Sequence, residues 1–351
     1  MISDRWPERD LESVGCCPVC GRQGRSLLER GLCDRVFFVA PGQWTLWRCD
    51  GCASAYLDPR PTEASISRAY AEYYTHAVCP DECGLVNQRR SRLSAFRQGL
   101  RNGYLRRRFG HDLPHALTLG WMVMALLPGR RKNLDYMVRH LPASPAGARL
   151  LDVGCGNGRF LSVARALGYD TVGLEIDPKA ARAARSAGHK IVEGTVAASG
   201  LPSETFDQIT MNHVIEHLHR PREVLEALHR LLRPGGRIWI QTPNISSQGY
   251  QRYRAAWRGL EPPRHLVVFS PAGLNGLLST AGFGHPTVLP PPAEAEFSFR
   301  RSAAIAEGRD PEAGPVERRP AWSRDARRAD RRAARAPECA ESVTIVACKG
   351  S

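Results

Sequence analysis

The stretch Leu150–Leu161, with the sequence LLDVGCGNGRFL, limits the possible folds more than any other part of the chain. An apolar strand, Arg149–Val153, runs directly into Gly154, Gly156 and Gly158, and a helical pattern follows. Glycines at such a turn let the backbone approach a ligand closely, and the helix N-terminus favours an anionic group. Strands and helices alternate from here onward, which predicts an α/β domain with a parallel sheet.

A second predicted strand, Thr171–Ile176, carries Glu175 near its end. A carboxylate at this position can accept hydrogen bonds from both hydroxyls of a ribose. The glycines follow a G-x-G-x-G spacing, and Arg159 stands where a dinucleotide fingerprint requires its third glycine. The pattern therefore predicts a nucleoside-bearing cofactor and argues against a nicotinamide dinucleotide.

Two later segments extend the pattern, one at 206–218 with the sequence FDQITMNHVIEHL and one at 232–244 with the sequence LRPGGRIWIQTPN. Together with LLDVGCGNGRFL and VGLEIDP they resemble the class I methyltransferases that use S-adenosylmethionine (SAM). The resemblance covers roughly residues 148–290. It implies a Rossmann-like, seven-stranded, mostly parallel sheet and an enzyme that transfers a methyl group from SAM.

The resemblance also assigns residues to parts of the cofactor. The glycine loop should surround the amino-acid end of SAM, Glu175 should hold the ribose, and Ile176 should pack on the adenine. Cys155 is expected to be a small packing residue of the loop rather than a nucleophile. The full predicted cofactor set is Asp152, Gly154, Cys155, Gly156, Asn157, Gly158, Glu175, Ile176, Thr195, Val196, Asn212 and His213. Thr195 and Val196 occupy a place where the family often has an acidic residue.

Two C-x-x-C pairs precede this domain, Cys17 with Cys20 and Cys49 with Cys52. Two such turns can close a tetrahedron of thiolates around zinc, and four protein ligands leave no open position for chemistry. We therefore predict a structural zinc, with a redox or accidental origin of the pairs as the alternative. The eleven cysteines are odd in number, and no secretory signal opens the sequence, so a reducing cytoplasm is expected. Cys16 is adjacent to Cys17 and could substitute for it as a ligand, whereas Cys33, Cys79 and Cys83 are expected to lack a metal.

The cysteine pairs followed by a methyltransferase-like domain resemble uncharacterised bacterial methyltransferases and, more distantly, nucleotide-sugar C-methyltransferases. In the latter, a histidine after the fourth strand and a Glu-His pair after the fifth act near the sugar, with an N-terminal tyrosine. This resemblance makes His217 and His265 the candidate catalytic residues, with Arg264 in place of the glutamate and Tyr74 as a guess for the tyrosine. The alternative for both histidines is a hydrogen-bonded structural role. Asn244 and Arg264 are further candidates for acceptor contacts.

The domain organisation predicted from the sequence has four parts. These are a tail at 1–14, a zinc-knuckle module at 15–62 with strands at Arg35–Val39 and Thr45–Arg48, a helical linker or lid at 63–145, and the methyltransferase domain at 146–351. Within the last part, 290–338 is expected to be a disordered or loosely helical insertion. The apolar run Ala116–Leu127 is too short to span a bilayer. We interpret it as part of a helix buried as a lid, with peripheral attachment to a membrane surface as the alternative.

The net charge of +14 comes almost entirely from arginine. Such a charge could serve nucleic acid, a phosphorylated substrate or an anionic membrane, but no aromatic-interleaved basic motif supports nucleic-acid binding. The preferred acceptor is a small or carbohydrate-like molecule, methylated on O or C, in bacterial secondary or envelope metabolism. A nucleic-acid-modifying methyltransferase is the rival interpretation, and a binding module that has lost catalysis is a third.

Overall fold

The computed structural model describes residues 5–70, 91–312 and 320–350. The chain forms two compact units, each assembled from separate stretches of sequence. The first comprises Met1–Tyr73, Asn212–Glu226 and Ile240–Ala347, and the second comprises Tyr74–Met211, Ala227–Trp239 and Cys348–Ser351. The N-terminal cysteines therefore share a unit with residues far along the chain, whereas the sequence suggested a module of their own at 15–62.

Regular elements cover most of the described chain. The strands are β1 (Leu11–Glu12), β2 (Arg25–Leu32), β3 (Trp44–Cys49), β4 (Ala55–Leu57), β5 (Arg60–Pro61), β6 (Arg149–Val153), β7 (Asp170–Glu175), β8 (Lys190–Glu193), β9 (Phe206–Asn212), β10 (Leu232–Pro243), β11 (Val267–Val268), β12 (Phe283–Val288) and β13 (Ser342–Lys349). The helices are α1 (Arg92–Phe109), α2 (Gly120–Ala125), α3 (Pro128–Met137), α4 (Arg159–Ala166), α5 (Pro178–Ser186), α6 (Pro221–Leu231), α7 (Gln248–Tyr253), α8 (Pro271–Thr280), α9 (Ala295–Ala306) and α10 (Pro320–Ala333).

Seven strands form one sheet in the order β12-β13-β10-β9-β6-β7-β8. β6 pairs in parallel with both β7 and β9, and β7 pairs in parallel with β8. Strands inside a parallel sheet are covered on both faces, which explains why β6 is almost continuously apolar. The order and the parallel pairing confirm the predicted Rossmann-like, mostly parallel sheet.

In the second unit, helices that precede the sheet share a core with its first strand. Tyr104 and Leu105 of α1, Leu134 of α3, Leu150 of β6 and Phe160 of α4 are all buried in one cluster. This burial stabilises β6 against the helical segment, because each buried large apolar side chain contributes about 1.5–3 kcal/mol. The segment at 91–145 is thus part of the folded unit and not only a connection.

The apolar run before α3 differs from the sequence-based interpretation. A buried lid helix was expected, but α2 has only six residues, and Trp121, Met122 and Leu126 expose large parts of their side chains. Within the described residues, no helix combines the length and the apolar character needed to cross a bilayer.

The first unit contains a four-stranded sheet in the order β11-β4-β3-β2. Its strands pair antiparallel, and β11 joins from a distant part of the chain, with Val267 opposite Tyr56 and Val268 opposite Ala55. Trp44, Leu46 and Leu57 of this sheet are buried in a core that also contains Tyr250 and Trp257. The three N-terminal strands β2, β3 and β4 are therefore joined in one sheet by residues 267–268, from a distant part of the chain.

The strand predicted at Arg35–Val39 is wrong. These residues form bends, because the buried Asp34 carboxylate accepts hydrogen bonds from four backbone N–H groups that follow it, at 3.1–3.2 Å. Four bonds to one carboxylate curve the backbone too tightly for a strand ladder. The apolar residues of this stretch have the sequence pattern of a strand, but the strand that the structure forms here is β2, which ends at Leu32.

The insertion expected at 290–338 is helical where the structure describes it. α9 and α10 pack on each other through Ala295, Phe299, Ala326 and Ala329, all of which are buried. Small alanines permit a close approach of the two helices, and Phe299 also contacts the ring of Tyr253. Of the two alternatives left open by the sequence, disorder is contradicted for these helices.

Candidate active site

The glycine loop in the second unit begins where β6 ends. Gly154, Gly156 and Gly158 adopt φ values of 67°, 56° and 83°, which other residues rarely adopt. At Gly158 a Cβ atom would also lie 2.5 Å from the Cδ2 atom of His189. The loop thus needs glycine both for backbone conformation and for space, and it leads directly into α4.

Glu175 lies beside this loop at the end of β7. Its carboxylate accepts a hydrogen bond from the Gly156 backbone N–H at 2.7 Å and another from the Asp177 N–H at 2.9 Å. Burial raises the pKa of Glu175, although these backbone bonds act in the opposite direction. The next side chain, Ile176, is apolar yet 67% exposed. The structure therefore brings together a carboxylate, a glycine loop and an uncovered apolar side chain.

Asp152 is paired within the protein. It is fully buried and forms an ion pair with Arg139, and it accepts a hydrogen bond from the Thr210 hydroxyl at 2.8 Å. Arg139 also donates to Thr210 and stacks over the ring of Phe160 at 3.6 Å. Burial raises the pKa of Asp152, with Arg139 opposing. Sequence reasoning missed Arg139; the buried acid at 152, which needs a cation, was the available signal.

The remaining loop residues have local roles. Cys155 is buried, and its sulfur fills space beside Gly173, where a Cβ would lie 2.5 Å from it. Burial raises the pKa of the Cys155 thiol, as expected for a packing residue rather than a nucleophile. Asn157 accepts a hydrogen bond from the Arg159 N–H. Thr195, beyond β8, is exposed, and its hydroxyl accepts from the Ala198 N–H; Val196 is half-buried.

Asn212 and His213 belong to the first unit. His213 has a φ of 53°, and its Nδ1–H donates to the Glu216 carboxylate at 3.1 Å. Glu216 is buried and also accepts from the Thr242 hydroxyl at 2.9 Å. Although burial acts to raise it, the hydrogen bond from His213 lowers the pKa of Glu216 to about 2. A permanent negative charge is thus held at the end of β9.

The two candidate catalytic histidines lie together in the first unit. The ring centroids of His217 and His265 are 4.9 Å apart. The Nδ1 atom of His217 is 2.9 Å from the Arg264 carbonyl oxygen, and that of His265 is 2.8 Å from the Gly259 carbonyl oxygen. Since a carbonyl can only accept, each Nδ1 must carry the proton, and each Nε2 keeps its lone pair.

A tyrosine contacts this pair. The Tyr70 hydroxyl is 3.0 Å from the Nδ1 atom of His217. Burial raises the pKa of Tyr70, so the phenol stays neutral. The guess made from sequence, Tyr74, lies outside the described residues. In the described part of the chain, Tyr70 is thus an N-terminal tyrosine in contact with His217.

The carboxylate beside His265 is Glu261. Their Nε2 and Oε2 atoms are 3.8 Å apart, and nearby cations, Arg258 first, lower the pKa of Glu261 against the effect of burial. Burial lowers the pKa of His265 to about 4, so its imidazole is neutral at pH 7. The resemblance to sugar C-methyltransferases places a glutamate at position 264, where this chain has arginine, and the carboxylate that lies near His265 comes instead from three residues earlier.

Arg264 does not extend toward an acceptor. It is fully buried, donates to the Asp34 carboxylate at 3.1 Å and to Glu261 at 2.9 Å, and also donates to the Ala69 carbonyl. Asn244 is equally buried, and its amide donates to the carbonyls of Glu338 and Ala340. Both residues have structural roles, and the prediction that they contact the acceptor is wrong.

Among the residues that the structure describes, two groups of side chains have the donors needed for a metal. The sulfurs of Cys17, Cys20, Cys49 and Cys52 all lie within 4.8 Å of one another, and so do ligand atoms of Glu216, His217 and His265. In the second group, both Glu216 oxygens already accept hydrogen bonds, from His213 and from Thr242. Within the cysteine group, the Cys17–Cys52 and Cys20–Cys49 sulfur distances are 3.7 and 3.4 Å.

Comparison with known proteins agrees with this geometry. Residues 129–284 match the family described as a methyltransferase domain. With the glycine loop, Glu175 and the seven-stranded sheet, this match defines a class I SAM-dependent methyltransferase domain.

Among its relatives is the ubiquinone biosynthesis O-methyltransferase of Chromobacterium violaceum, 32% identical over 127 residues, which are 34% of this chain and 53% of that protein. A malonyl-[acyl-carrier protein] O-methyltransferase of Enterobacter lignolyticus is 28% identical, over 50% of this chain and 71% of that one. The chain spans about half the length of the first of these relatives. A solved SAM-dependent methyltransferase from Archaeoglobus fulgidus covers 65% of this chain and 100% of its own, at 18% identity and a TM-score of 0.44.

Proposed function

We propose that the protein transfers the methyl group of SAM to an oxygen atom of a small organic acceptor. The observation that carries the proposal is the Glu175 carboxylate, bonded to the Gly156 N–H and followed by the exposed Ile176. A ribose diol suits the carboxylate, and an adenine ring would cover the isoleucine. The O-methyltransferase relatives favour oxygen over carbon as the attacked atom.

The methionine end of the cofactor carries a carboxylate and an amino group. Arg139 and Asp152 place one positive and one negative charge behind the glycine loop, and the backbone N–H groups at the start of α4 favour an anion. We assign Arg139 to the carboxylate of the methionine end and Asp152 to its amino group. The ion pair with Asp152 also keeps the Arg139 side chain oriented.

SAM supplies, when bound, a methyl group activated by the sulfonium charge. The protein has then to align the acceptor and remove its proton. The Nε2 atoms of His265 and His217 carry the available lone pairs, because their Nδ1–H groups are held by backbone carbonyls. We assign proton removal to this pair. Glu261, 3.8 Å from His265, stabilises the imidazolium that results.

We also assign a structural zinc to the four cysteines. A Zn–S bond of about 2.3 Å in a tetrahedron implies sulfurs about 3.8 Å apart, close to the 3.4 and 3.7 Å found. The four thiolates complete the coordination, so this metal would stabilise and not react. The knuckle at Cys49–Cys52 leads into β4, which pairs with β11, and β11 begins two residues after His265. Zinc would thus help to position a catalytic imidazole.

Calorimetric titration with SAM tests the cofactor assignment. The Glu175→Ala variant should bind SAM about 10–100-fold more weakly, because two charge-assisted hydrogen bonds are lost. Glu193→Ala is the matched control, since Glu193 lies opposite Glu175 at the end of the next strand. Equal affinities in the two variants would show that Glu175 does not hold the ribose.

A screen of acceptors with isotope-labelled SAM tests the chemistry. With an acceptor that the wild type methylates in this screen, His265→Asn and His217→Asn should leave SAM affinity unchanged and lower the rate of methyl transfer about 10²–10⁴-fold. His219→Asn controls for the loss of a buried imidazole, because the His219 ring contacts the Pro61 carbonyl and not the histidine pair. A variant pair that retains full activity would dismiss the base assignment.

A further inference from the structure

Large apolar side chains are concentrated on one exposed part of the second unit. Of the twelve large apolar residues that the described chain exposes most, eight lie between 93 and 127. Leu126 is 82% exposed and Leu119 is 60% exposed. The eight are Leu93, Phe96, Leu117, Leu119, Trp121, Met122, Leu126 and Leu127. Single exposed leucines are ordinary, whereas a group of this size marks an interaction surface.

Close backbone contacts hold these side chains outward. A Cβ on Gly103 would lie 1.7 Å from the Leu117 carbonyl oxygen, and one on Gly120 would lie 2.0 Å from that of Leu100. The Leu117 N–H also donates to the Gly99 carbonyl at 2.9 Å. The segment before α2 therefore packs on α1 through glycines, and its large residues cannot turn inward without breaking these contacts.

The core beneath is already filled. Tyr104, Leu105, Met124 and Leu134 are buried from the same elements. The exposed apolar residues are therefore not part of an incompletely packed core. The segment that contains α2 has buried apolar side chains on its inner side and exposed apolar side chains on its outer side.

The same segment is strongly basic. Residues 91–132 contain nine arginines and lysines and a single acid, Asp112, so they hold more than half of the net charge of +14. A second copy of the chain would present the same positive charge and be repelled, which argues against self-association. The phosphates of a nucleic acid would pair with the arginines, but the exposed leucines would add little to the affinity for nucleic acid. Anionic lipid satisfies both, with Trp121 suited to the headgroup level.

We propose that this apolar-basic surface, residues 91–132, docks on a bilayer rich in anionic phospholipid. The apolar side chains enter the headgroup and upper acyl region, and the arginines contact lipid phosphates. The inference is independent of methyl transfer, since it uses no residue of the cofactor loop or the histidine pair. It replaces the buried-lid interpretation of the apolar run.

Vesicle flotation of the full-length protein tests the proposal. The protein should float with phosphatidylglycerol–phosphatidylcholine vesicles and not with pure phosphatidylcholine, and 0.5 M salt should release it, because surface charge attraction is screened. The triple variant Leu119→Ser, Trp121→Ser, Leu126→Ser should reduce the bound fraction at least about ten-fold. Arg130→Gln with Arg131→Gln should reduce it less, by about ten-fold or under.

Two controls isolate the surface. Phe38→Ser removes an equally exposed aromatic residue of the other unit, and Arg328→Gln removes an exposed arginine of α10; both should float like the wild type. Circular dichroism and SAM titration establish that each variant is folded. Absence of flotation, binding that the triple variant retains, a dimer that the triple variant abolishes, or salt-dependent RNA binding without flotation would each overturn the proposal.

Discussion

The glycine loop and the histidine pair differ in how the chain assembles them. The loop and Glu175 come from one βαβ stretch of about 25 residues in the second unit, where each side chain follows the end of a strand. The pair and its partners come from Asp34, Tyr70, His217 and the segment 259–265, joined only in the folded first unit. Residues that bind a widely shared cofactor can be local, whereas those proposed to act on the acceptor are assembled from distant parts.

The two regions also hold charge differently. In the second unit one buried acid, Asp152, is matched by one cation, Arg139. In the first unit Arg264 is shared by Asp34 and Glu261, and Glu261 also pairs with Arg258. The denser network fixes the backbone that carries His265, but every member depends on the others. We therefore expect the first unit to be the more sensitive to single substitutions.

The largest effect should come from the cysteines. If the four cysteines bind zinc as proposed, Cys49→Ser should remove the metal and unfold the four-stranded sheet, since a structural zinc contributes directly to folding. SAM titration should still show binding, because the glycine loop and Glu175 belong to the second unit. Metal analysis and circular dichroism provide the measurement, and Cys33→Ser, outside the cysteine group, is the control. A zinc-free variant with unchanged melting would contradict the structural role.

The next largest effect is expected at Arg264. Arg264→Met leaves the buried Asp34 carboxylate without its cation and leaves Glu261 paired with Arg258, which should lower the free energy of unfolding by about 3–5 kcal/mol in urea titrations. Arg220→Met, at an exposed ion pair, should change it by less than about 1 kcal/mol. If the two variants had the same free energy of unfolding, the ion-pair network around Arg264 would not be what stabilises the segment that carries His265.

Gly158→Ala probes the cofactor region in the same way. The alanine must adopt a φ of 83° and would meet His189, so the loop should shift and SAM affinity should fall about ten-fold or more. Gly129→Ala, where a Cβ meets nothing, is the matched control and should bind SAM as the wild type does. Intact affinity in Gly158→Ala would show that the loop adapts more freely than its geometry indicates.

The smallest expected effect concerns pH. Because burial lowers the pKa of His265 from 6.5 to about 4, its base form persists in acid, and kcat/KM should stay level until well below pH 6. Between these values the unfolded chain binds more protons than the folded one, so stability should decrease as the pH falls from 6.5 toward 4. His265→Asn should weaken that decrease in thermal melts. An activity loss centred near pH 6.5 would point to a different base.

The sequence predicted the parallel sheet and the loop at Gly154–Gly158 because strand period and turn glycines are local signals. It also paired Cys17 and Cys20 with Cys49 and Cys52 in one group, as the structure has them. It missed Arg139, Tyr70 and Glu261, whose roles depend on contacts across long sequence separations. It also took Arg35–Val39 for a strand, since the four bonds to Asp34 are set by tertiary burial rather than by side-chain pattern.

The pairing of β4 with β11 has a consequence for the synthesis of the chain. Val267 lies opposite Tyr56, so the edge of the N-terminal sheet stays open while roughly two hundred further residues leave the ribosome. An open edge can recruit other nascent chains. Both C-x-x-C turns have been synthesised once Cys52 is added. Early metal binding would therefore order the β2–β3 hairpin before β11 has been synthesised. Zinc starvation of growing cells should then reduce the yield of folded protein, even where metal withdrawn from the mature protein has less effect.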